Sequence, residues 1–315
     1  MINTYIGYSS DPDVRHRSTS GGVGSSMIKY LFESGNIQTA ISFVFDSKSL
    51  LYIPTFIYRY EDYKISGSIY QEIKLLQFIR DNIDKIVGGF ACFCLPCQAK
   101  AIRSIISANN HKCFILGLTC SSQQSHDATI YLLHRLQIDK ETVLSLQYRG
   151  NGWPGGVVIH RKQLPSIEVP NNGSIWTNIF HSRLFIQSRC FYCKNTLNEF
   201  SDVSLADPWL KEYIETEKEG CTLLATHTTK GDEFLQEANL KGYVCINEIT
   251  KDKLLKSQCS TIVRKLSYSK HPSLLKVMLL LFKSSVYRKF VFKYPFLFTF
   301  HCWFRAKWER LMSVR

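Results

Sequence analysis

Two thiols, Cys190 and Cys193, stand with two residues between them, and a short apolar stretch then leads to Asp207, Pro208 and Trp209. Two intervening residues let a tight turn carry the backbone around an ion while both sulfurs face it, so this spacing suits metal binding. A zinc half-site, a redox dithiol and two buried thiols fit the same spacing. Any further ligands come from elsewhere in the chain. Two other cysteines occupy comparable settings. The apolar run from Ile86 to Cys94 ends at Pro96-Cys97 before a helical pattern through Ala101, Ile102, Ile105 and Ile106, and the run from Cys113 to Leu118 enters Thr119-Cys120 before a helix from about His126 to Leu136. Each is a strand, a turn holding a thiol, and a helix, which is where α/β proteins place their sites. Cys92 and Cys94 share one face of the first strand and Cys113 opens the second, positions where a thiol packs well as core.

Two further segments could hold a ligand. Ser18-Thr19-Ser20-Gly21-Gly22 precedes Val23, Met27, Tyr30 and Leu31 at helical spacing. It predicts a helix N-terminus with free N–H groups, the positive end of the dipole, and glycines that let a phosphate approach the backbone. A simple N-cap fits the same pattern. Arg149-Gly150-Asn151-Gly152-Trp153 lies between the predicted strands Val143–Tyr148 and Val157–Arg161. It could set a guanidinium and a flat ring against a planar anion, or form a tight turn with an exposed tryptophan.

These groups need a scaffold of strands and helices. Thr39–Phe45 and Leu51–Tyr58 predict a hairpin, Tyr70–Asn82 a helix, Cys221–Thr226 a strand, Gly231–Leu240 a helix and Tyr243–Ile246 a strand. Cys221 and Cys245 are placed as buried strand residues, while Cys259 and Cys302 have no assigned partner. A chain of 315 residues that is 45% hydrophobic and 21% charged can bury a large core, which excludes a disordered or low-complexity protein. The first residues lack a signal-peptide pattern, so the 11 cysteines are expected in a reducing cytoplasm, where clustered thiols serve as ligands rather than disulfides. The expected fold is α/β, a mixed sheet flanked by helices. Residues 1–250 would carry the site, and 251–315 would form a helical, basic and aromatic extension.

The charge of +13 is uneven, because residues 283–315 hold eight Lys and Arg against the single acid Glu309, a net of +7 that leaves +6 for the rest. With no nucleic-acid-binding signature, no nucleic-acid partner is expected. In the tail, Tyr287, Phe290, Phe292, Tyr294, Phe296, Phe298, Phe300, Trp303, Phe304 and Trp308 are interleaved with Lys289, Lys293, Arg305, Lys307 and Arg310. The apolar run Pro295 to Phe304 falls well short of the roughly 20 residues that span a bilayer. Rings beside basic groups suit docking on the anionic inner face of a membrane. Packing on the core and docking in a partner's acidic groove are the alternatives.

In this order, the motifs resemble the coenzyme F-420 (deazaflavin) hydrogenase/dehydrogenase beta-subunit family. The matches run from Ser18 to about Ala238: Ser20-Gly21-Gly22, Gly67-Ser68-Ile69-Tyr70-Gln71, Pro96-Cys97-Gln98, Cys120, Arg149 to Trp153, and Cys190 to Trp209. The resemblance implies a flavin and iron–sulfur beta-subunit fold in which Cys97, Cys120, Cys190 and Cys193 hold one [4Fe–4S] cluster. It also implies FAD with its pyrophosphate on the Ser-Gly-Gly loop. Ser18, Thr19, Ser20, Gly21, Gly22, Arg149, Trp153, Asp207 and Trp209 are the expected cofactor-binding set, Asp207 by accepting a hydrogen bond and Trp209 by stacking. A turn or helix cap formed with Pro208 is the structural alternative for Asp207.

The implied activity is an oxidoreductase that passes electrons between a hydride donor or acceptor and the cluster. Its implied substrate is a deazaflavin coenzyme, and its implied partner is ferredoxin or another redox subunit. Bacterial relatives of this kind are often associated with surface-polysaccharide genes. Cys94 stands where the family often has glycine, the usual His-Gly pair is missing after Cys120, and no second ferredoxin-type motif precedes residue 18, so at most one cluster is expected. No proton-transfer residue is assigned. The competing expectation is a non-catalytic scaffold in which the same four thiols hold zinc.

Overall fold

The computed structural model describes residues 1–313. Its strands are β1 (Thr4–Ser9), β2 (Thr39–Asp46), β3 (Leu51–Ile57), β4 (Phe90–Cys94), β5 (Cys113–Leu118), β6 (Val143–Gln147), β7 (Gly156–Arg161), β8 (Leu164–Pro170), β9 (Val203–Ala206), β10 (Thr222–Thr226) and β11 (Val244–Glu248). Its helices are α1 (Pro12–Arg17), α2 (Val23–Glu33), α3 (Leu75–Asp81), α4 (Ala99–Ala108), α5 (Asp127–Arg135), α6 (Ile175–His181), α7 (Ser188–Tyr192), α8 (Lys211–Thr216), α9 (Thr229–Leu240), α10 (Lys251–Lys270), α11 (Pro272–Lys283), α12 (Ser285–Lys293) and α13 (Pro295–Ser313).

Eight strands make one mixed sheet in the order β11-β1-β10-β9-β5-β4-β2-β3, and β6-β7-β8 make a small antiparallel sheet. The middle of the large sheet is parallel, with β2 beside β4, β4 beside β5 and β5 beside β9. Parallel strands are covered on both faces, and β5 shows how the sequence arranges this. Phe114 and Leu116 point into the cluster formed with Met27, Leu31 and Leu235 of α2 and α9, while Ile115 points the other way, into the cluster with Ile79, Ile102 and Ile106 of α3 and α4. The α/β expectation is borne out.

Several local expectations change. Only Leu75–Asp81 of the predicted Tyr70–Asn82 helix is helical. The preceding stretch is irregular because its polar groups are engaged elsewhere: Gln71 Oε1 accepts from the Tyr52 N–H at 3.0 Å, its Nε2 donates to the Leu50 carbonyl at 2.7 Å, and Gln123 donates to the Ile69 carbonyl at 3.1 Å. Cys221 is buried as expected, but Cys245 is exposed. Its strand, β11, is the sheet's edge, and its sulfur lies 3.5 Å from Ser10 Oγ. β1, β8 and α6 are not among the elements predicted from the sequence.

The helices beyond residue 250 pack inward. Phe282, Val291, Phe298 and Met312 share a core with Tyr131, Leu132 and Phe185. Glu309, the tail's single acid, turns inward as well: Arg183 Nε donates to it at 2.8 Å, Arg305 Nη1 also at 2.8 Å, and the Tyr268 hydroxyl adds a third bond. Burial would raise its carboxyl pKa, but the two guanidiniums more than offset this and hold it well below the usual range. No helix among the described residues is long and apolar enough to cross a membrane.

Candidate functional site

The site begins where β1 and α1 lead into α2. Gly21 and Gly22 take φ values of +74° and +77°, which side chains rarely adopt, and a Cβ on Gly21 would lie 2.6 Å from the Cys221 Cα. With Gly22 as N-cap and no side-chain cap, the first N–H groups of α2 stay free. They open on a cavity of about 570 Å³. Ser18, Thr19, Ser20, Gly22 and Ser25 form one wall, Gly67 to Tyr70 another, and Arg149, Asp207 and Trp209 a third. Of the expected set, Gly21 faces Cys221 instead of the cavity; its part is to let the turn form.

The Arg149 loop departs from expectation in an informative way. Its guanidinium is buried and bound to both oxygens of Asp207, Nη1 to Oδ2 at 2.7 Å and Nη2 to Oδ1 at 3.0 Å, and its Nε donates to the Pro154 carbonyl at 3.1 Å. Burial alone would lower its pKa, but Asp207 more than compensates and holds it above its usual value. Trp153 is buried, not exposed. Its Nε1 donates to Asp207 Oδ1 at 3.2 Å and its ring lies 5.2 Å from that of Trp209. Trp153 thus braces the acid from behind, whereas Trp209 lines the cavity with Arg149 5.4 Å above its ring. Asp207 is a brace too: its backbone carbonyl accepts from Ser257 Oγ and Gln258 Nε2 of α10, each at 2.9 Å.

The thiols come from three separate turns. Cys97 follows β4 in a turn closed by Gln98, whose Oε1 accepts from the Leu95 N–H at 2.9 Å. Cys120 follows β5, with its N–H donating to the Thr196 carbonyl at 3.0 Å. Cys190 lies in α7 and Cys193 caps it. Burial pushes the Cys120 thiol up to about 12, with Lys265 opposing this and Cys190, Cys97 and Cys193 adding to it. Among the described residues no three His, Cys, Asp or Glu side chains are gathered at the spacing of a single ion. In a zinc site every sulfur lies about 2.3 Å from one ion. A cubane cluster takes one thiolate at each of its four corner irons, and four thiols match that donor chemistry. Of the four, Cys120 lines the cavity, as does Cys94 of β4.

Two unpartnered hydroxyls also fit a ligand there. Ser18 Oγ and Ser122 Oγ are buried, line the cavity and have no hydrogen-bond partner among the described residues. Ser122, Gln123, Asn198 and Lys265 escaped the sequence analysis. Asn198 Nδ2 donates to the Cys94 carbonyl at 2.8 Å and ties β4 to the segment after Cys193. Its position inside the longest motif was the available signal. Lys265 sits in a helix with no motif, and nothing in the sequence marked it.

A mixed sheet with thiols in the turns after parallel strands, beside a cavity at a helix N-terminus, is the frame of a redox subunit. Residues 88–252 match the C-terminal part, and residues 4–80 the N-terminal part, of the family described as Coenzyme F420 hydrogenase/dehydrogenase, beta subunit. The chain belongs to this family of FAD and iron–sulfur oxidoreductase subunits. Over 209 residues it is 22% identical to the F subunit of the F(420)H(2) dehydrogenase of Methanosarcina mazei, covering 64% of this chain and 56% of that protein. The chain thus spans little more than half the length of that relative. Its fold is similar to a chain in the F420-reducing [NiFe] hydrogenase complex from Methanosarcina barkeri, with a TM-score of 0.65 and 15% identity over 86% of this chain and 91% of the other.

Proposed function

We propose that this chain binds FAD and one [4Fe–4S] cluster and moves electrons between a hydride donor or acceptor and a redox partner. The observation that carries the proposal is the cavity of about 570 Å³ that the α2 N-terminus opens on, with the Cys120 turn in its wall. FAD, when bound, supplies the exchange between a two-electron hydride and single electrons. The chain's own residues do the holding: the α2 N-terminus and the Ser18 and Ser122 hydroxyls would take the polar parts of the cofactor, and Arg149 with Asp207 keeps the opposite wall rigid. A deazaflavin is the proposed substrate and a further subunit the proposed partner, in line with the names the two relatives carry; ferredoxin is the other proposed partner. Neither relative points to surface-polysaccharide synthesis. The zinc-scaffold alternative needs no occupied cavity, so flavin binding separates the two.

Ser25→Asp tests the cavity. Ser25 lies in the first turn of α2 and lines the cavity. A carboxylate there favours the helix dipole yet repels a pyrophosphate. FAD affinity should fall at least tenfold while iron content is unchanged, as read by flavin fluorescence and iron assay. Equal FAD retention would count against this pocket.

The tail supports a second interaction. With Glu309 turned inward, Lys276, Lys289, Lys293, Lys307 and Arg310 remain exposed on α11 to α13 beside Phe290, Phe296, Phe300 and Trp303, which are 56–67% exposed. We propose that this face docks on anionic lipid, where each basic group near the surface adds about 1 kcal/mol. Full-length protein should float with phosphatidylserine vesicles and not with neutral ones. Replacing Phe296, Phe300 and Trp303 by serine should reduce flotation at least fivefold. Equal flotation of wild type and variant would end the membrane reading and leave a protein partner's acidic surface as the occupant.

A further inference from the structure

The helix α10 lies almost wholly beyond the part of the chain that matches the family, which ends at residue 252, yet it inserts a buried ammonium between the Cys120 turn and the Cys193 thiol. Lys265 is 2% exposed. Its Nζ donates to the Cys120 carbonyl at 2.8 Å and to the Asn195 carbonyl at 2.7 Å, and it lies 3.7 Å from Cys193 Sγ. The preceding Arg264 grips the same turn, its Nη2 donating to the Ser121 carbonyl at 3.1 Å and Oγ at 2.7 Å. No carboxylate pairs with Lys265 among the described residues. A buried cation held only by carbonyls and a thiol is costly to desolvate, and such groups are retained beside a compensating negative charge.

We propose that Lys265 is a positioning residue for the four-thiol centre: it locks the Cys120 and Cys193 turns together and sets the reduction potential of the iron–sulfur group they hold. The inference rests on the cluster assignment above. Reduction adds one electron to a group that already carries negative charge from four thiolates, with no bond made or broken. A fixed positive charge and an N–H donor at one sulfur therefore stabilise the reduced form more than the oxidised form, raising the potential. Without Lys265 the same protein would hold a centre harder to reduce.

The test uses full-length protein reconstituted anaerobically with iron and sulfide and titrated electrochemically, the reduced centre being read by electron paramagnetic resonance. Lys265→Gln keeps a donor and removes the charge, Lys265→Met removes both, and Lys265→Arg keeps both. The two neutral variants should shift the reduction equilibrium at least tenfold towards the oxidised form, which is 59 mV for one electron; Lys265→Met should move furthest. Lys265→Arg should stay within threefold of wild type. A loaded Lys265→Gln centre with an unmoved potential would overturn the proposal, as would an Arg variant shifted as far as the Met variant. If Lys265→Met does not load, the Gln and Arg pair still decides. Wild-type protein that takes up no iron would instead overturn the cluster assignment, so the two failures are distinguishable.

Discussion

Replacing any one of Cys97, Cys120, Cys190 or Cys193 by serine is expected to remove most of the cluster iron from anaerobically reconstituted protein, while Cys245→Ser keeps it. Each corner iron needs a thiolate, and the three turns that supply these sulfurs are held in place independently of any metal, by Gln98 on the Leu95 N–H, by the Cys120 N–H on Thr196, and by the Cys190 N–H on Gln187. Loss of one ligand should therefore leave the fold intact and the centre incomplete. Iron per chain and the broad visible absorption of the cluster measure the effect, with circular dichroism reporting the fold. Cys245 is a clean control because it is exposed on the edge strand β11. Cys94 is the informative second control: it is buried, and burial pushes its thiol well above the usual range, but it sits inside β4 rather than in a turn. A centre that survived loss of Cys120 and not of Cys94 would show that β4, not the β5 turn, supplies the fourth sulfur.

How far the sequence revealed this arrangement depended on whether a residue's role is local. The parallel β4 and β5 with their thiol-bearing turns were legible because an apolar run, a turn and a helix follow each other within about 20 residues. The α2 N-terminus was legible for the same reason, although the geometry divides its residues: Ser18 to Ser20 and Gly22 face the cavity, and Gly21 does not. Arg149, Trp153 and Asp207 each stand out in the sequence, but not their pairing, since Asp207 lies more than fifty positions from the other two and no local pattern encodes that contact. The Tyr70–Asn82 pattern starts its helix too early because apolar spacing does not register that Gln71 is engaged with Leu50 and Tyr52. The tail's aromatic and basic pattern does not show the inward turn of Glu309, which depends on Arg183, 126 residues earlier.

Asp207→Ala is expected to have the largest effect on stability of any single change in the cavity wall. Arg149 has 2% of its side chain exposed, and its two strongest bonds go to that carboxylate. Removing one partner of a buried pair leaves an uncompensated charge and typically costs about 3–5 kcal/mol. The Trp153 Nε1 donor loses its acceptor in the same step, which adds to the penalty. The α10 contacts made by the Asp207 backbone carbonyl would survive, since they do not use the side chain. Urea unfolding followed by tryptophan fluorescence should show the loss as a lower midpoint. Arg149→Met combined with Asp207→Leu tests the cause, because replacing both charges by apolar groups of similar volume is often neutral or stabilising. The double variant should recover most of the lost stability and still bind FAD poorly, its wall having lost both the guanidinium beside Thr19 and the carboxylate. Non-additivity of the two single changes measures the pair directly. An Asp207→Ala variant within about 0.5 kcal/mol of wild type would mean that water or a bound anion takes the carboxylate's place at Arg149, making the guanidinium a ligand-binding group and not a brace.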